Sequence, residues 1–460
     1  MFETILNPDI NRICSLLKKA GGTPYLVGGA VRDTLLGINT HDIDIEVYKI
    51  PSYEQIKKCL SPHYKILEFG ASFGICQIKL DTMHIDIALP RTERKTGNGH
   101  TGFEVQHDPN LDLKTAASRR DFTINSIAYD PINKQLHDPH NGQADLKNKV
   151  LRHVSDAFSE DSLRVYRAMQ FSARFDFEIA PETLALCRKI DTTDLPKERL
   201  FGEIQKCLLL AKKPSLAFNK MEALGILNHY PELKALKNCP QDPEWHPEGD
   251  VWDHTMMVID QMAQLKPENP DDAIMLMLAA VCHDFGKPIT TEKIDGRWRS
   301  PNHEKEGVAP SIQFLKRLTD NKKLIQRVIP LVEHHLKPAL LYNADQKDTV
   351  SDSAIRRLSS KVTLSELFLL AKADHFGRTT PDALAKEFPA GTWLLERAEA
   401  LNVKDQKPVP IITGKRLIEE GLNPGKAMGD LLKMLYEKQL DGEISSIEDG
   451  LRILREHNEL

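Results

Sequence analysis

Residues 25–47 read YLVGGAVRDTLLGINTHDIDIEV, and this stretch decides the fold of the first third of the chain. Tyr25, Leu26 and Val27 read as the end of a strand, Gly28 and Gly29 as a turn, and the segment after them as a helix with Arg32 one turn in. Backbone N–H groups at such a helix start can approach phosphate oxygens closely. In HDIDIEV, Asp42 and Asp44 alternate with Ile43, Ile45 and Val47, so a strand turns both carboxylates to one face and the apolar residues to the core. Two like charges so close call for a cation between them. HIDIAL at 84–89 repeats the pattern around Asp86, and three carboxylates on adjacent strands make an oxygen-rich site suited to Mg²⁺. Taken singly, the same residues also fit a plain turn and solvated strand positions.

Outward from this stretch, GICQIKL (74–80) is a further strand, and residues 1–150 form an α/β head opened by an amphipathic helix in MFETILNPDINRICSLLKKAGG. From about Asp156 helical periodicity takes over and strand signals nearly vanish. The Pro- and Asp-rich stretch NCPQDPEWHPEGD (238–250) reads as a boundary, and NVKDQKPVPIITG (402–414) as a second one. The expected organisation is α+β: head 1–150, all-α neck 151–238, a His-rich helical domain 239–400 and a helical tail 401–460, which carries the Lys-rich KAMGDLLKMLYEKQL.

Composition narrows the function classes. With 41% hydrophobic and 28% charged residues the chain has the balance of a globular protein rather than a disordered one. A net charge of −5 argues against coating nucleic acid non-specifically, although one basic strip suffices to hold an RNA. Seven scattered cysteines without a CxxC pair read as reduced thiols, the N-terminus lacks the order of a signal peptide, and no continuous apolar run is long enough to span a bilayer. The expectation is a cytoplasmic protein, monomer or homodimer, away from membranes.

The diglycine turn, the DxD strand and the later carboxylate strand together resemble the nucleotidyltransferase superfamily, and specifically the bacterial tRNA nucleotidyltransferase/poly(A) polymerase family. The resemblance continues through RTERKTGNGHTGFE (91–104), SRRDFTINSIAYD (118–130), DPHNGQADLKNKVLRHV (138–154), EDSLRVYRAMQFSARF (160–175) and KERLFGEIQKCL (197–208), and more loosely to ITGKRLIEEGLNPGKAMGDLL in the tail. It implies two-metal transfer of C and A nucleotides from CTP and ATP to the 3′ end of tRNA, with Asp42, Asp44 and Asp86 catalytic, Mg²⁺ on Asp42 and Asp44, and Gly28, Gly29 and Arg32 at the nucleotide.

In EDSLRVYR, Asp161, Arg164 and Arg167 recur every third residue along one helix ridge, which on spacing alone also fits an intrahelical ion-pair ladder. The resemblance instead implies that Asp161 and Arg164 read the base. Cytosine and adenine both offer an amino donor beside a ring-nitrogen acceptor, which a carboxylate and a guanidinium can match, while guanine and uracil reverse that polarity. Arg120 matches a further nucleotide-contacting position and Asn125 a ribose-contacting one, and Arg167 is expected at the nucleotide with them. The sequence departs from its relatives at Gln170, where many carry another phosphate-binding arginine, and at TAAS (115–118), which replaces an acidic and basic pattern before RRDFT.

WDHTMMVIDQM, LAAVCHDFGKP, NHEKEG, VEHHLK and AKADHFGR then spread histidines over a helical stretch. His254, His283, Asp284 and Asp374 match the H…HD…D order of the HD phosphohydrolases, with His303 and His334 or His335 as ligands of a second metal. Imidazoles mixed with carboxylates suit Ni²⁺, Mn²⁺ or Co²⁺, with Mg²⁺ also open. The resemblance implies phosphatase or 2′,3′-cyclic phosphodiesterase activity at this second site. The rival readings are a poly(A) polymerase or partial CCA-adding enzyme, an HD phosphohydrolase with an RNA-binding head, and a non-catalytic tRNA-binding protein.

Overall fold

Residues 2–67, 75–80, 83–95, 103–342 and 349–456 are described by the computed structural model. Part of GICQIKL and residues 96–102 of the resembling stretch 91–104 lie outside them. The chain folds as two units, Met1–Cys207 with Leu216–His229, and Leu208–Ser215 with Tyr230–Leu460.

Among the described residues, the part of the first unit before Val150 carries nine strands: β1 Thr23–Val27, β2 Asp42–Tyr48, β3 Ile66–Leu67, β4 Ile75–Lys79, β5 His84–Ala88, β6 Arg91–Lys95, β7 Phe103–His107, β8 Ala128–Asp130 and β9 Gln135–His137. Seven of them form one sheet in the order β3-β4-β5-β2-β1-β8-β9, and β6 and β7 pair separately. The alternation in HDIDIEV does its expected work, since Ile43, Ile45 and Val47 are at most 1% exposed while Asp42 and Asp44 are exposed. β2 runs antiparallel to β1 and parallel to β5 in a register that sets Asp44 opposite Asp86. Paired residues in a parallel ladder point to the same face, so the topology brings the three acids together.

The opening helix, Pro8–Lys19, starts where Asn7 caps it by accepting from the Ile10 N–H at 2.8 Å. Its Ile10, Ile13, Cys14 and Leu17 are all fully buried, the i, i+3, i+4, i+7 stripe of a helix laid on a sheet. The helix Gly29–Leu35 begins directly after Gly28, whose φ of +70° a side chain would rarely adopt. A later helix, Leu163–Phe175, carries the Arg164 and Arg167 ridge.

The second unit is helical around Pro270–Cys282, in which every residue from Ala273 to Cys282 is buried. A helix apolar all round belongs in a core. The segment Pro270–Thr290 has the length and hydropathy to cross a bilayer, but 83% of its most apolar window is buried inside the protein. Val251–Leu265, Lys322–His334 and Leu364–Phe376 pack around it. Asn269 caps the central helix by accepting from the N–H groups of Asp271 and Asp272 at 2.9 and 3.1 Å. Burying its Ile274, Leu276, Leu278 and Val281 contributes roughly 1.5–3 kcal/mol each before chain entropy is counted.

The tail has a core of its own, with Ile412, Leu417, Leu435, Ile444, Leu451, Ile453 and Leu454 clustered between its helices. All seven cysteines are free thiols. Strand structure from Val150 onward is more than the sequence led us to expect. Val150–Leu151 pairs with Glu178–Ile179, and Glu292–Ile294 pairs with Arg297–Arg299 as a hairpin.

Candidate functional site

The three head carboxylates open onto a cavity of about 340 Å³ lined by Asp42, Asp44, Gln77, His84 and Asp86 among others. Partial loss of water raises the pKa of Asp44, with Asp86, Asp42 and Glu46 adding like charge and Arg120 opposing them. Asp86 is raised for the same first reason, and Asp42 adds to it. Asp44 and Asp86 are thus held where their own negative charge is disfavoured, the condition that a divalent cation relieves. Gly28 borders this site so tightly that a Cβ on it would stand 3.0 Å from Arg120 Nη1 and 3.1 Å from Asp44 Oδ2.

Glu46, the third acid on the same face of β2, was not singled out from the sequence. It is 3% exposed and accepts from Arg119 at 2.7 Å, from Arg120 at 3.3 Å and from the Tyr48 hydroxyl at 3.0 Å. Burial works against its charge, but Arg120 and Arg119 outweigh burial and hold its pKa below the usual range. Glu46 therefore fixes Arg120 beside Asp44 and Gly28.

The RRDFTIN segment ties the sheet to the helix Leu163–Phe175. Arg164 donates through Nη2 to the Arg119 carbonyl at 2.5 Å and through Nη1 to the Ala157 carbonyl at 2.8 Å. Arg167 donates to Asp121 at 2.7 Å, and Asp121 also accepts from Asn125 at 2.8 Å. Burial opposes the Asp121 charge, yet Arg167 and these hydrogen bonds bring its pKa to about 2. Asp161 accepts from Arg199 at 3.2 Å, a partner absent from the sequence reading.

Arg32 and Asn125, both expected as nucleotide contacts, are brought together by the fold. They are 4% and 5% exposed and bond to each other at 2.6 Å, while Arg32 also donates to Asp33 at 2.7 Å and lies over the rings of Phe171 and Phe175 at 4.9 and 4.7 Å. Through its amide, Asn125 links Arg32 to Asp121. Gln170 is 1% exposed, and both its amide atoms are buried without a hydrogen-bond partner. Thr115, Ala116 and Ala117 lie in the short helix Leu113–Ala117, capped by Asp112, and Ser118 ends it.

In the second unit, His283 and Asp284 emerge from the C-terminal end of the buried helix Pro270–Cys282. His254, His283 and Asp374 form one group of converging ligand atoms, and Asp284, His303 and His335 a second. Asp284 spans them: Oδ2 lies 3.2 Å from His283 Nε2 and 3.8 Å from His254 Nε2, and Oδ1 lies 3.3 Å from His303 Nε2 and 4.0 Å from His335 Nε2. Of the two alternatives at 334 and 335, His335 joins the cluster and His334 does not.

Each imidazole is oriented through its other nitrogen. Nδ1 of His283, His303 and His335 meets the carbonyls of Ala280, Ser300 and Val332 at 2.8, 2.8 and 2.7 Å. A carbonyl only accepts, so each Nδ1 carries the proton and each Nε2 presents a lone pair to the centre. Nε2 of His283, His303 and His335 are buried without a hydrogen-bond partner, which suits atoms that can ligate a cation. Burial, with His303 and His283 nearby, takes the pKa of His335 to about 3 and keeps it neutral. Burial opposes the charge of Asp284, but His283 and Lys287 overcome it and keep that carboxyl well below the usual range. Lys287 Nζ sits 2.7 Å from Asp284 Oδ2.

His254 differs in that its Nδ1 bonds a carboxylate, Glu248 Oε1, at 2.8 Å, and the same oxygen accepts from His246 Nδ1 at 2.8 Å. Glu248 comes from the Pro- and Asp-rich stretch that read as a boundary. Its side chain is 1% exposed, so the loop contributes to the site.

Comparison with known proteins agrees with both halves of this picture. Residues 24–152 match the poly(A) polymerase head domain, residues 176–237 the probable RNA- and SrmB-binding site of polymerase A, and residues 251–379 the HD domain. A multifunctional CCA protein of Xylella fastidiosa is 35% identical over 404 residues, covering 83% of this chain and 90% of the relative. The protein from another strain is 36% identical over 374 residues, covering 77% and 84%. Among solved structures, a Bacillus stearothermophilus CCA-adding enzyme in complex with CTP aligns over 99% of this chain and all of its own, with TM-score 0.67 and 19% identity. A Thermotoga maritima CCA-adding enzyme complexed with tRNA aligns over 99% and 97%, with TM-score 0.58 and 22% identity. The structural likenesses establish a shared fold. The sequence identity over most of both chains establishes kinship, and the chain belongs to the family of the multifunctional CCA proteins, nucleotidyltransferases with an HD domain.

Proposed function

We propose that this chain completes the CCA end of tRNA in the cytoplasm, adding C and A from CTP and ATP to the 3′ terminus. The division of labour is head 1–150, neck 151–238, HD domain 239–400 and tail 401–460. The observation that carries this reading is the Asp42, Asp44 and Asp86 face with Gly28 and Arg120 against it.

In this reading Asp42 and Asp44 hold Mg²⁺, with Asp86 as the third acid. Bound Mg²⁺ supplies neutralisation of the triphosphate and favours ionisation of the attacking 3′ hydroxyl. The hydroxyl attacks the α-phosphorus as the bond to pyrophosphate breaks. Gly28 and Gly29 let backbone approach the phosphates, and Arg120, aimed by Glu46, meets their charge. Asp161 accepts from the exocyclic amine of C or A and Arg164 donates to the ring nitrogen, exchanging the protein partners they hold in this structure. Arg167, through Asp121, sets the pitch of that helix, while Arg32 and Asn125 hold the turn.

The HD cluster is a second active site for phosphomonoesters or 2′,3′-cyclic phosphates at RNA ends. His254, His283, Asp284 and Asp374 would hold one divalent ion, Ni²⁺, Mn²⁺, Co²⁺ or Mg²⁺, and Asp284, His303 and His335 a second. An ion held by these residues would supply acidification of water, the nucleophile that phosphate hydrolysis needs near neutral pH. Lys287 neutralises Asp284 and faces the same cavity.

Partial CCA addition or poly(A) synthesis is the second reading, favoured by Gln170, which brings no charge to the triphosphate where relatives carry arginine. A double dissociation tests the assignment. Asp44→Ala should abolish CTP and ATP incorporation into tRNA and leave metal-dependent hydrolysis intact, and Asp284→Ala should do the reverse. Wild-type incorporation by Asp44→Ala would overturn the head site.

A further inference from the structure

The helix Pro389–Ala400 buries Ala390, Gly391, Leu394 and Ala398 and turns Thr392, Trp393 and Glu396 to another face. That face lines a cavity of about 480 Å³ together with Tyr342, which follows the helix Lys337–Leu341, and with Glu387 and Phe388 just before its own start. The volume lies within the range of pockets that take small ligands. None of these residues belongs to the His/Asp cluster or to the cavity that opens on it.

The lining is aromatic and acidic. The rings of Tyr342 and Trp393 stand 5.8 Å apart between centroids with their planes at 58°, the two sides of a wedge. Phe388 is held by the His375 ring stacked on it at 5.0 Å, and Gly391 leaves it room, since a Cβ there would collide with the Phe388 ring. The indole of Trp393 already draws one cation, for the Arg397 guanidinium lies 5.6 Å from its centroid. Arg397 is in turn committed to Asp352 at 2.6 Å and to the Val350 carbonyl at 3.0 Å, and Lys386, beside Glu387 in sequence, donates to Gln261 at 3.0 Å. Among the described residues, no cation or donor meets the exposed carboxylates of Glu387 and Glu396.

Two unpaired carboxylates beside the electron-rich faces of two rings repel phosphate, which sets this cavity apart from a surface on which RNA stacks. A hydrated divalent ion keeps its water and gains little from an indole. An alkylammonium ion instead brings methylenes that pack on the rings and N–H groups that the carboxylates accept. We propose that the cavity binds a flexible organic cation of the di- or polyamine class. Its methylenes lie against Tyr342 and Trp393, and its ammonium groups meet Glu387 and Glu396. The binding is non-covalent and independent of the chemistry proposed for either active site.

Spermidine is titrated calorimetrically into the full chain, free of RNA, at about 0.15 M salt so that diffuse charge attraction is screened. Trp393→Leu should raise Kd about tenfold, within what a desolvated cation–π contact is worth, and Trp393→Phe should keep most of the affinity. Glu396→Gln and Glu387→Gln should each weaken binding about threefold. Glu448→Gln, which removes an exposed acid from the tail, should change nothing. An unchanged circular dichroism spectrum checks each variant, and the exposed Glu positions keep the test decisive if Trp393→Leu does not fold. No binding of spermidine, binding indifferent to Trp393→Leu, or the same loss from Glu448→Gln as from Glu396→Gln would overturn the site. Nα-acetyl-lysine amide is titrated in parallel. Affinity equal to that of spermidine would assign the cavity to a lysine of a partner protein and overturn the polyamine reading, whereas much weaker binding upholds it.

Discussion

Replacing Glu248 probes how the HD cluster is held. Its Oε1 accepts from Nδ1 of both His254 and His246 at 2.8 Å, and its Oε2 accepts from the Thr379 N–H at 3.2 Å. Glu248→Ala leaves the His254 Nδ1–H buried without an acceptor, and an orphaned buried donor costs about 1–3 kcal/mol. The ring can escape that penalty by rotating or by moving its proton to Nε2, and either change removes a lone pair from the cluster. A loss of this size corresponds to roughly 10–100-fold in metal affinity. Glu248→Gln keeps a neutral acceptor and should lose about tenfold or less. Titrating Mn²⁺ calorimetrically into protein stripped with a chelator reads the affinity directly, with CTP incorporation at the head as the control for folding. Wild-type Mn²⁺ affinity in Glu248→Ala would refute the reasoning.

At the head, Gly28→Ala forces a Cβ to within 3.0 Å of Arg120 and 3.1 Å of Asp44 at a φ of +70°. Nucleotide incorporation should drop at least about tenfold with an unchanged circular dichroism spectrum, and an active variant would contradict the close approach. Asp161→Ala and Arg164→Ala should relax the preference over UTP and GTP in competition assays, because rejection depends on leaving buried polar groups unpaired; retained discrimination would end the base-reading assignment. The Asp121 carboxyl, held at about 2 against an ordinary 3.8, should contribute roughly 2 kcal/mol of stability. Its folded-state pKa is depressed, so the contribution is present above the unfolded value of 3.8 and is lost as pH falls towards about 2. Urea titrations of wild type and Asp121→Asn across that window should diverge in slope, and parallel curves would count against the Asp121–Arg167 pairing.

Much of this was legible in the sequence because local periodicity carried it. The alternation in HDIDIEV places Asp42 and Asp44 on one face, and the repeat around Asp86 supplies its neighbour. Glu46 continues that alternation, yet its meaning depends on Arg119 and Arg120, which only folding brings to it. Arg32 and Asn125 look alike in sequence whether they face a ligand or each other, and their mutual bond spans 93 residues. The choice between His334 and His335 turns on about 100° of rotation around a helix axis, which adjacent residues in a string cannot express. Glu248 hid in a loop whose prolines and aspartates spoke only of a break in structure. The hairpin at 292–299 left one signal, the Asp295-Gly296 pair at φ +50° and +80°, a favoured two-residue turn. Its strands are too short and too exposed to show an apolar alternation.

The central claim concerns what the head writes at the end of tRNA, and sequencing that end measures it most directly. A tRNA lacking its last three nucleotides, incubated with the purified chain, Mg²⁺ and all four NTPs, should gain C, C and A and then stop. With CTP alone it should gain only C, and with ATP alone nothing until the two cytidines are present. A run of adenosines, or arrest after two cytidines with ATP in excess, would contradict the account.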